Sequence, residues 1–185
     1  MAPMMRKFLG WGLMAATLAA GQAWAGVDIT VRGQYFYPTE KAFRDIYGGG
    51  WKPGGEIGFR LTRRLDIWAG GEYFSRSGKL TFTQEETKLS LLPAGAGLRY
   101  RLTTGTMSLY AGGGVLLIQF KESNAIGSVS RPGFGAVGRA GVFLRVVRGF
   151  LLHLGVGYSY CPMKPADFDI DVGGLEGGAG LAVEF

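Results

Sequence analysis

The chain carries one histidine, His153, and one cysteine, Cys161. A lone histidine does chemistry chiefly as a general base beside a hydroxyl nucleophile, and that needs the two groups within about 3 Å. Counting alternate residues after His153, the first hydroxyl on the same face is Ser159. Six residues of extended chain separate them, about 20 Å, so the two cannot act together within one strand. A serine from a neighbouring strand stays open, although nothing points to one. Cys161, beside Pro162-Met163-Lys164-Pro165, reads as a lone thiol at a strand end. One cysteine closes no intramolecular disulfide and founds no cysteine zinc site. Asp167, Asp169 and Asp171 alternate as calcium ligands could, but the residues between them, Phe168 and Ile170, are apolar. They read instead as a charged strand start. Gly48-Gly49-Gly50 lacks the Lys-Ser/Thr that would make it a phosphate cradle. The sequence therefore predicts no catalytic residue, no metal site and no cofactor, and the chain is read as not an enzyme.

The elements around these residues are more informative. Of 185 residues, 33 are Gly and 7 are Pro; 47% are hydrophobic, 13% aromatic and 18% charged. Glycine is far above its usual share of about 7%, without a collagen period, and the aromatics are too many for a disordered chain. Residues 1–25 read as a cleaved signal peptide: a basic start at Arg6 and Lys7, an apolar core from Phe8 to Ala20, and the small-x-small site Ala23-Trp24-Ala25 before Gly26. Residues 26–185 then form one domain. Without Arg6 and Lys7 the net charge falls from +6 to +4, and with no basic run it gives no argument for nucleic acid.

From Gly26 onward the apolar residues recur with period 2, the strand period. Eight segments follow: 26–38, 55–62, 65–76, 87–102, 106–121, 133–147, 150–160 and 169–185. Leu89 and Leu91 are out of phase with Ala94, Ala96, Leu98 and Tyr100, which predicts a bulge near Pro93. In the fifth segment both faces are apolar and the phase is open. Short links at 62–64, 103–105 and 147–149 alternate with longer ones at 39–54, 77–86, 122–132 and 161–168. That alternation describes an all-β, eight-stranded, antiparallel up-and-down barrel, and in outer-membrane barrels the short side is periplasmic.

Periodicity does not say which face is outside, since a secreted lipocalin-like barrel buries its apolar face. Three features favour a transmembrane barrel. Aromatics gather at strand ends, with Tyr35, Tyr37, Tyr73, Phe120, Phe134, Tyr158 and Tyr160 toward the long links, and Phe59, Tyr100, Tyr110 and Phe185 toward the short ones. The polar face carries charges of both signs in mid-strand: Arg32, Glu56, Arg60, Asp66, Glu72, Arg99, Arg139, Arg145 and Glu176. These predict an ion-pair network in the lumen. The last strand ends on the aromatic Phe185. The full inward tally sets Arg32, Arg60, Arg76, Arg99, Arg101, Arg139 and Arg145 against Asp28, Glu56, Asp66, Glu72, Glu176 and Glu184, seven against six. Near-balance argues for a plug rather than an open ion-selective pore. Trp68, Phe74 and Phe143 are expected as fillers, and Gly95, Gly97, Gly113, Gly141, Gly155, Gly157, Gly178 and Gly180 as the residues that relieve crowding inside the wall.

Leu92–Leu102 (LPAGAGLRYRL), the TTG turn, Ser108–Val115 (SLYAGGGV) and Asp171–Phe185 (DVGGLEGGAGLAVEF) together resemble the small eight-stranded outer-membrane barrels of the OmpA/OmpX and opacity-protein type. The resemblance implies that Leu181, Val183 and Phe185 carry the C-terminal signal read by the barrel-assembly machinery. It also brings lipid A enzymes into view. The deacylase type uses His-x-Ser, whereas His153 is followed by Leu154 and Gly155; the palmitoyl-transfer type places His on extracellular loops, and these loops have none.

The expectation is thus a monomer in the outer membrane of a Gram-negative cell, with a packed polar lumen and a structural or surface-interaction role. Its partners would be outer-membrane lipid and lipopolysaccharide, with no nucleic acid. A small passive pore and a lipid A-modifying enzyme are the alternatives.

Overall fold

The computed structural model describes residues 26–79, 86–124, 127–164 and 170–185. Strand β1 (Val27–Pro38) is followed by helix α1 (Lys41–Tyr47), β2 (Gly50–Arg60), β3 (Leu65–Glu72), β4 (Phe74–Lys79), β5 (Glu86–Thr104), β6 (Met107–Asn124), β7 (Ser128–Val147) and β8 (Phe150–Tyr160). The short pieces β9 (Pro162–Met163) and β10 (Ile170–Asp171) pair with each other, and β11 (Gly174–Glu184) ends the sheet. Each long strand pairs antiparallel with its neighbours, β11 with β1, and β3 with β5. Since β3 and β4 are one wall strand interrupted at Tyr73, the ring has eight strands and closes where β3 joins β2 to β5, which is how a barrel satisfies its backbone groups in lipid. Ala23 and Ala25, of the expected signal-cleavage site, lie outside the described residues; Gly26 is the first of the described ones. No helix among the described residues is long and apolar enough to cross a membrane.

The faces separate cleanly. Val31 and Leu181 are each 67% exposed on the outside, while Asp66 and Arg99 are 1% and 3% exposed inside. Outward aromatics form belts at both ends: Tyr35, Tyr37, Trp51, Tyr73, Phe134, Tyr158 and Tyr160 toward α1, and Phe59, Tyr100, Phe150 and Phe185 toward the short turns. Two of these turns need a left-handed residue, which only glycine adopts at no steric cost: Gly105 has φ 60° and Gly149 φ 83°.

Several expectations are corrected. The bulge near Pro93 is absent. The β5–β6 ladder runs without a register shift through Pro93↔Ile118, and Leu89, Leu91 and Pro93 all point inward. They look out of phase only because this end of the lumen is apolar. Tyr110 and Phe120 are buried inside, not in the aromatic belts. Gly113 faces out, and Gly112 and Gly114 face in. The described parts of the links at 77–86 and 122–132 include strand at 77–79, 86, 122–124 and 128–132, because β4, β5, β6 and β7 continue beyond the belt with serine and lysine on their outer face; residues 80–85 and 125–126 lie outside the described residues. The apolar period fades there while the ladder persists. The ladder's register shift lies instead in β7, between Arg145 and Val147.

Helix α1 went unread in the expected 39–54 loop. Phe43 and Tyr47, four residues apart, bury one face; Lys41 and Asp45 pair at 2.5 Å on the other. Gly48 ends the helix at φ 63°, donating its N–H to Arg44 O. The β2–β3 ladder stops at Gly54↔Glu72. Beyond it β2 and β4 diverge, and α1 packs against β4 over the end of the lumen.

Candidate functional site

The lumen is stacked in three layers. At the short-turn end, Tyr110, Phe143 and His153 pack ring on ring, with centroids 4.8–5.6 Å apart. The Tyr110 hydroxyl and His153 Nε2 share a 2.7 Å hydrogen bond, and His153 Nδ1 has no hydrogen-bond partner among the described residues. Ser159 is not near this pair; its hydroxyl bonds the Gly174 backbone.

The middle layer is a connected ion-pair network. Arg32 reaches Glu56 at 2.7 Å and Glu72 at 2.6 Å. Arg99 reaches Glu56 at 2.7 Å, Asp28 at 3.1 Å and Asp66 at 3.2 Å. Arg101 bridges Asp28 and Asp66 at 2.8 and 2.7 Å. Arg139 joins Glu56, Glu72 and Glu176 at 3.2, 2.8 and 3.2 Å. Lys52 pairs with Glu72 at 2.7 Å and with Glu176. Five cations therefore meet five carboxylates, all buried except Arg139, whose side chain is 9% exposed. Guanidinium faces also stack on rings, Arg139 on Trp68 at 4.8 Å and Arg101 on Phe143 at 4.7 Å, a geometry that favours a cation removed from water. Glycine makes the room: a Cβ on Gly58 would sit 2.6 Å from Arg99 Nη2 and 2.7 Å from the Asp28 carboxylate.

Two of the sequence-chosen residues, Arg60 and Arg145, lie at the edge of this core, Arg60 touching it only through Asp66 at 3.9 Å. Both pair with Glu184 at the short-turn mouth and are partly exposed. Arg76 is exposed at the other end, donating to Gly49 O at 2.7 Å. Lys52, within the expected 39–54 link, is instead buried in the network. Stepping by two backward from Glu56 finds it; Pro53-Gly54-Gly55 hid the continuity. Leu181 and Phe185 are strongly exposed on the outer wall, and Val183 lies on the same face.

The third layer, under α1, is apolar: Phe36, Phe43, Phe74, Leu89, Leu91, Leu116, Ile118 and Phe120 pack together. The Tyr47 hydroxyl closes it from above by donating to Glu122 at 2.6 Å. Burial and this carboxylate hold the Tyr47 phenol above its ordinary ionisation range. Tyr47→Phe is expected to lower stability by about 1 kcal/mol and to speed amide exchange in α1 selectively, as read by hydrogen-exchange mass spectrometry. Unchanged exchange in α1 would show that this bond does not hold the helix down.

Beyond the end of β8, Cys161 is fully buried and donates to Phe134 O. Burial, with Asp171 nearby, pushes its thiol up to about 11. Asp171 itself accepts from the Cys161 and Gly173 N–H groups, the work of a turn rather than of a metal ligand. Asp167 and Asp169 lie outside the described residues. Among the described residues no cluster could hold a metal ion.

No protein-family model and no curated protein matches the chain. Solved structures do. Neisserial surface protein A is similar at TM-score 0.70 and 18% identity, over 86% of this chain and 97% of that one. The outer membrane protein OprG of Pseudomonas aeruginosa gives 0.73 and 15%, over 89% and 98%. The attachment invasion locus protein of Yersinia pestis, solved with the heparin analogue sucrose octasulfate, gives 0.60 and 15%, over 87% and 99%. The shared fold is the small outer-membrane barrel, and the apolar outer wall with its aromatic belts is what that location requires of a barrel.

Proposed function

From the premise that this chain is a small eight-stranded outer-membrane β-barrel, we propose that it works at the envelope surface as a monomer, and neither as a channel nor as a catalyst. One observation carries the reading: the lumen is filled from end to end. Among the described residues rings, paired charges and the apolar layer under α1 follow one another, and two enclosed spaces between them are about 10 Å³ each, room for about one water apiece. A solute would have to break several buried ion pairs to pass. His153 is 3% exposed and bonded to a phenol, out of reach of any lipid ester outside the wall.

In this reading the short turns face the periplasm and α1 faces outward. Leu181, Val183 and Phe185 engage the barrel-assembly machinery during biogenesis, and the outer wall and loops meet outer-membrane lipid and lipopolysaccharide. Purified barrel in planar bilayers is expected to show no discrete conductance steps, while running as a heat-shifted band on gels. Stable single-channel steps would replace this reading with the pore. A lipid A mass spectrum that changes on deletion, and reverts with the wild type but not with His153→Ala, would replace it with the enzyme.

A further inference from the structure

The outer wall is not the same all round. On one side the outermost outward positions described on β1, β2 and β8 are the belt residues Tyr37, Trp51 and Tyr160. On the other side β4–β7 rise further, and their register aligns two outward rows. Ser75, Ser90, Lys121 and Ser130 form the lower row; Ser77, Lys88, Ser123 and Ser128 form the upper. These eight positions hold six hydroxyls, two ammoniums and no carboxylate. The nearest outward carboxylate on these strands, among the described residues, is Glu86, two residues beyond Lys88 at the far edge; Glu122 is turned inward to Tyr47.

Lys88 and Lys121 are diagonal neighbours, since Lys121 pairs with Ser90 and Lys88 with Ser123. Such positions are about 7–8 Å apart, close enough to repel and well spaced for one anion between them. Neither lysine has an ion-pair partner among the described residues. Ser75 and Ser90 hydroxyls approach each other at 3.3 Å, and Gln119 donates to Ser130 at 2.8 Å, so the collar is a preformed polar surface.

Below the collar, past the outward row of Leu92, Gln119 and Pro132, lies a second, independent feature. Ala69, Ala94 and Ala96 leave a groove of about 520 Å³ in the lipid-facing wall, flanked by Val115, Leu117 and Phe134. Lys121 stands four residues beyond Leu117 on the same face of β6, about 13 Å along the strand. A larger groove of about 720 Å³, beside Ala140, Leu154 and Val156, has Tyr158 and Tyr160 at its outer end and no lysine.

We propose that the β4–β7 wall is a binding site for one phosphorylated lipid of the outer leaflet, its phosphate between Lys88 and Lys121 and an acyl chain in the alanine groove beneath. The proposal deepens, and rests on, the reading above that this end of the barrel faces outward in the outer membrane. A phosphate there offsets the repulsion of the two ammoniums, Ser90 and Ser123, cross-strand partners of the two lysines, donate to its remaining oxygens, and the groove receives a chain at the depth where the belt begins.

The test titrates bis-phosphorylated lipid A onto folded barrel in micelles, with retained lipid read by native mass spectrometry. Wild type is expected to keep one lipid A, and to bind the dephosphorylated form at least about tenfold more weakly. Lys88→Gln with Lys121→Gln should give the same loss, and Ala96→Phe should weaken binding by filling the groove. Lys41→Gln on α1 and Ala140→Phe in the other groove should leave it unchanged. Heat-shifted gel bands show which variants have folded. Equal binding by the double glutamine variant, or of the dephosphorylated lipid, overturns the site while leaving the barrel's placement intact. A wild type that neither inserts into vesicles nor shows the heat shift overturns the placement, and the site with it.

Discussion

Glu56→Ala is expected to destabilise the folded barrel by about 3–5 kcal/mol, the cost of removing one member of a buried ion pair while its partners stay. Glu56 is where three guanidinium groups meet: Arg32 and Arg139 on one oxygen, Arg99 on the other. Without it the layer holds five cations and four carboxylates, and the surplus charge cannot reach water without unpacking α1 or the ring layer. Glu56→Gln keeps the shape and one acceptor oxygen, so its cost should be smaller.

The more telling variant adds Arg32→Met to Glu56→Ala. Among the described residues Arg32 pairs only with Glu56 and Glu72, and Glu72 keeps Lys52 and Arg139. Charge is again matched, so the double variant should regain part of the loss. As a control, Asp45→Ala breaks the exposed Lys41–Asp45 pair and should cost no more than about 0.5 kcal/mol. Urea unfolding in phospholipid vesicles, followed by tryptophan fluorescence, measures all four. Equal small losses at Glu56 and Asp45 would mean that water screens the lumen, and a plugged barrel would no longer be tenable.

What the sequence reveals depends on how sharply the two sides of the wall differ. In the middle of the barrel they differ most, charged lumen against acyl chain. There the parity of Arg32, Glu56, Asp66, Glu72, Arg99, Arg139 and Glu176 is readable from residue type alone. Toward α1 the lumen becomes apolar, so Leu89, Leu91, Leu116 and Ile118 resemble their lipid-facing neighbours and parity loses its meaning. Beyond the belt the outer face turns to serine and lysine, and the strands vanish from the hydropathy pattern although their ladders continue. Helix α1 offers Phe43, Ile46 and Tyr47 at helical spacing, but its 7 residues are too short a window for a helical pattern to stand out. Lys52 shows the remaining difficulty: whether a lysine before Pro-Gly-Gly is loop or lumen depends on the ladder passing through those residues, which composition does not reveal.

Leu154→Arg is expected to cost about 2–4 kcal/mol, because Leu154 lies midway along β8 on the outer face, where an arginine would enter the middle of the bilayer. Its strand partners Val142 and Ala179 are also outward, so no carboxylate is at hand. Leu102→Arg puts the same charge on the same face of the barrel, but beside the short β5–β6 turn. Near the interface that charge should cost only about 0–1 kcal/mol. The difference between the two isolates depth in the membrane from any general dislike of arginine on a strand. A water-soluble barrel with the same coordinates gives the opposite pattern: Leu154 is already 41% exposed and Leu102 49%, so both replacements would be nearly neutral and solubility would rise. Folding into phosphatidylcholine vesicles across a urea series gives both values. A Leu154→Arg barrel as stable as Leu102→Arg would show that the apolar face does not meet lipid.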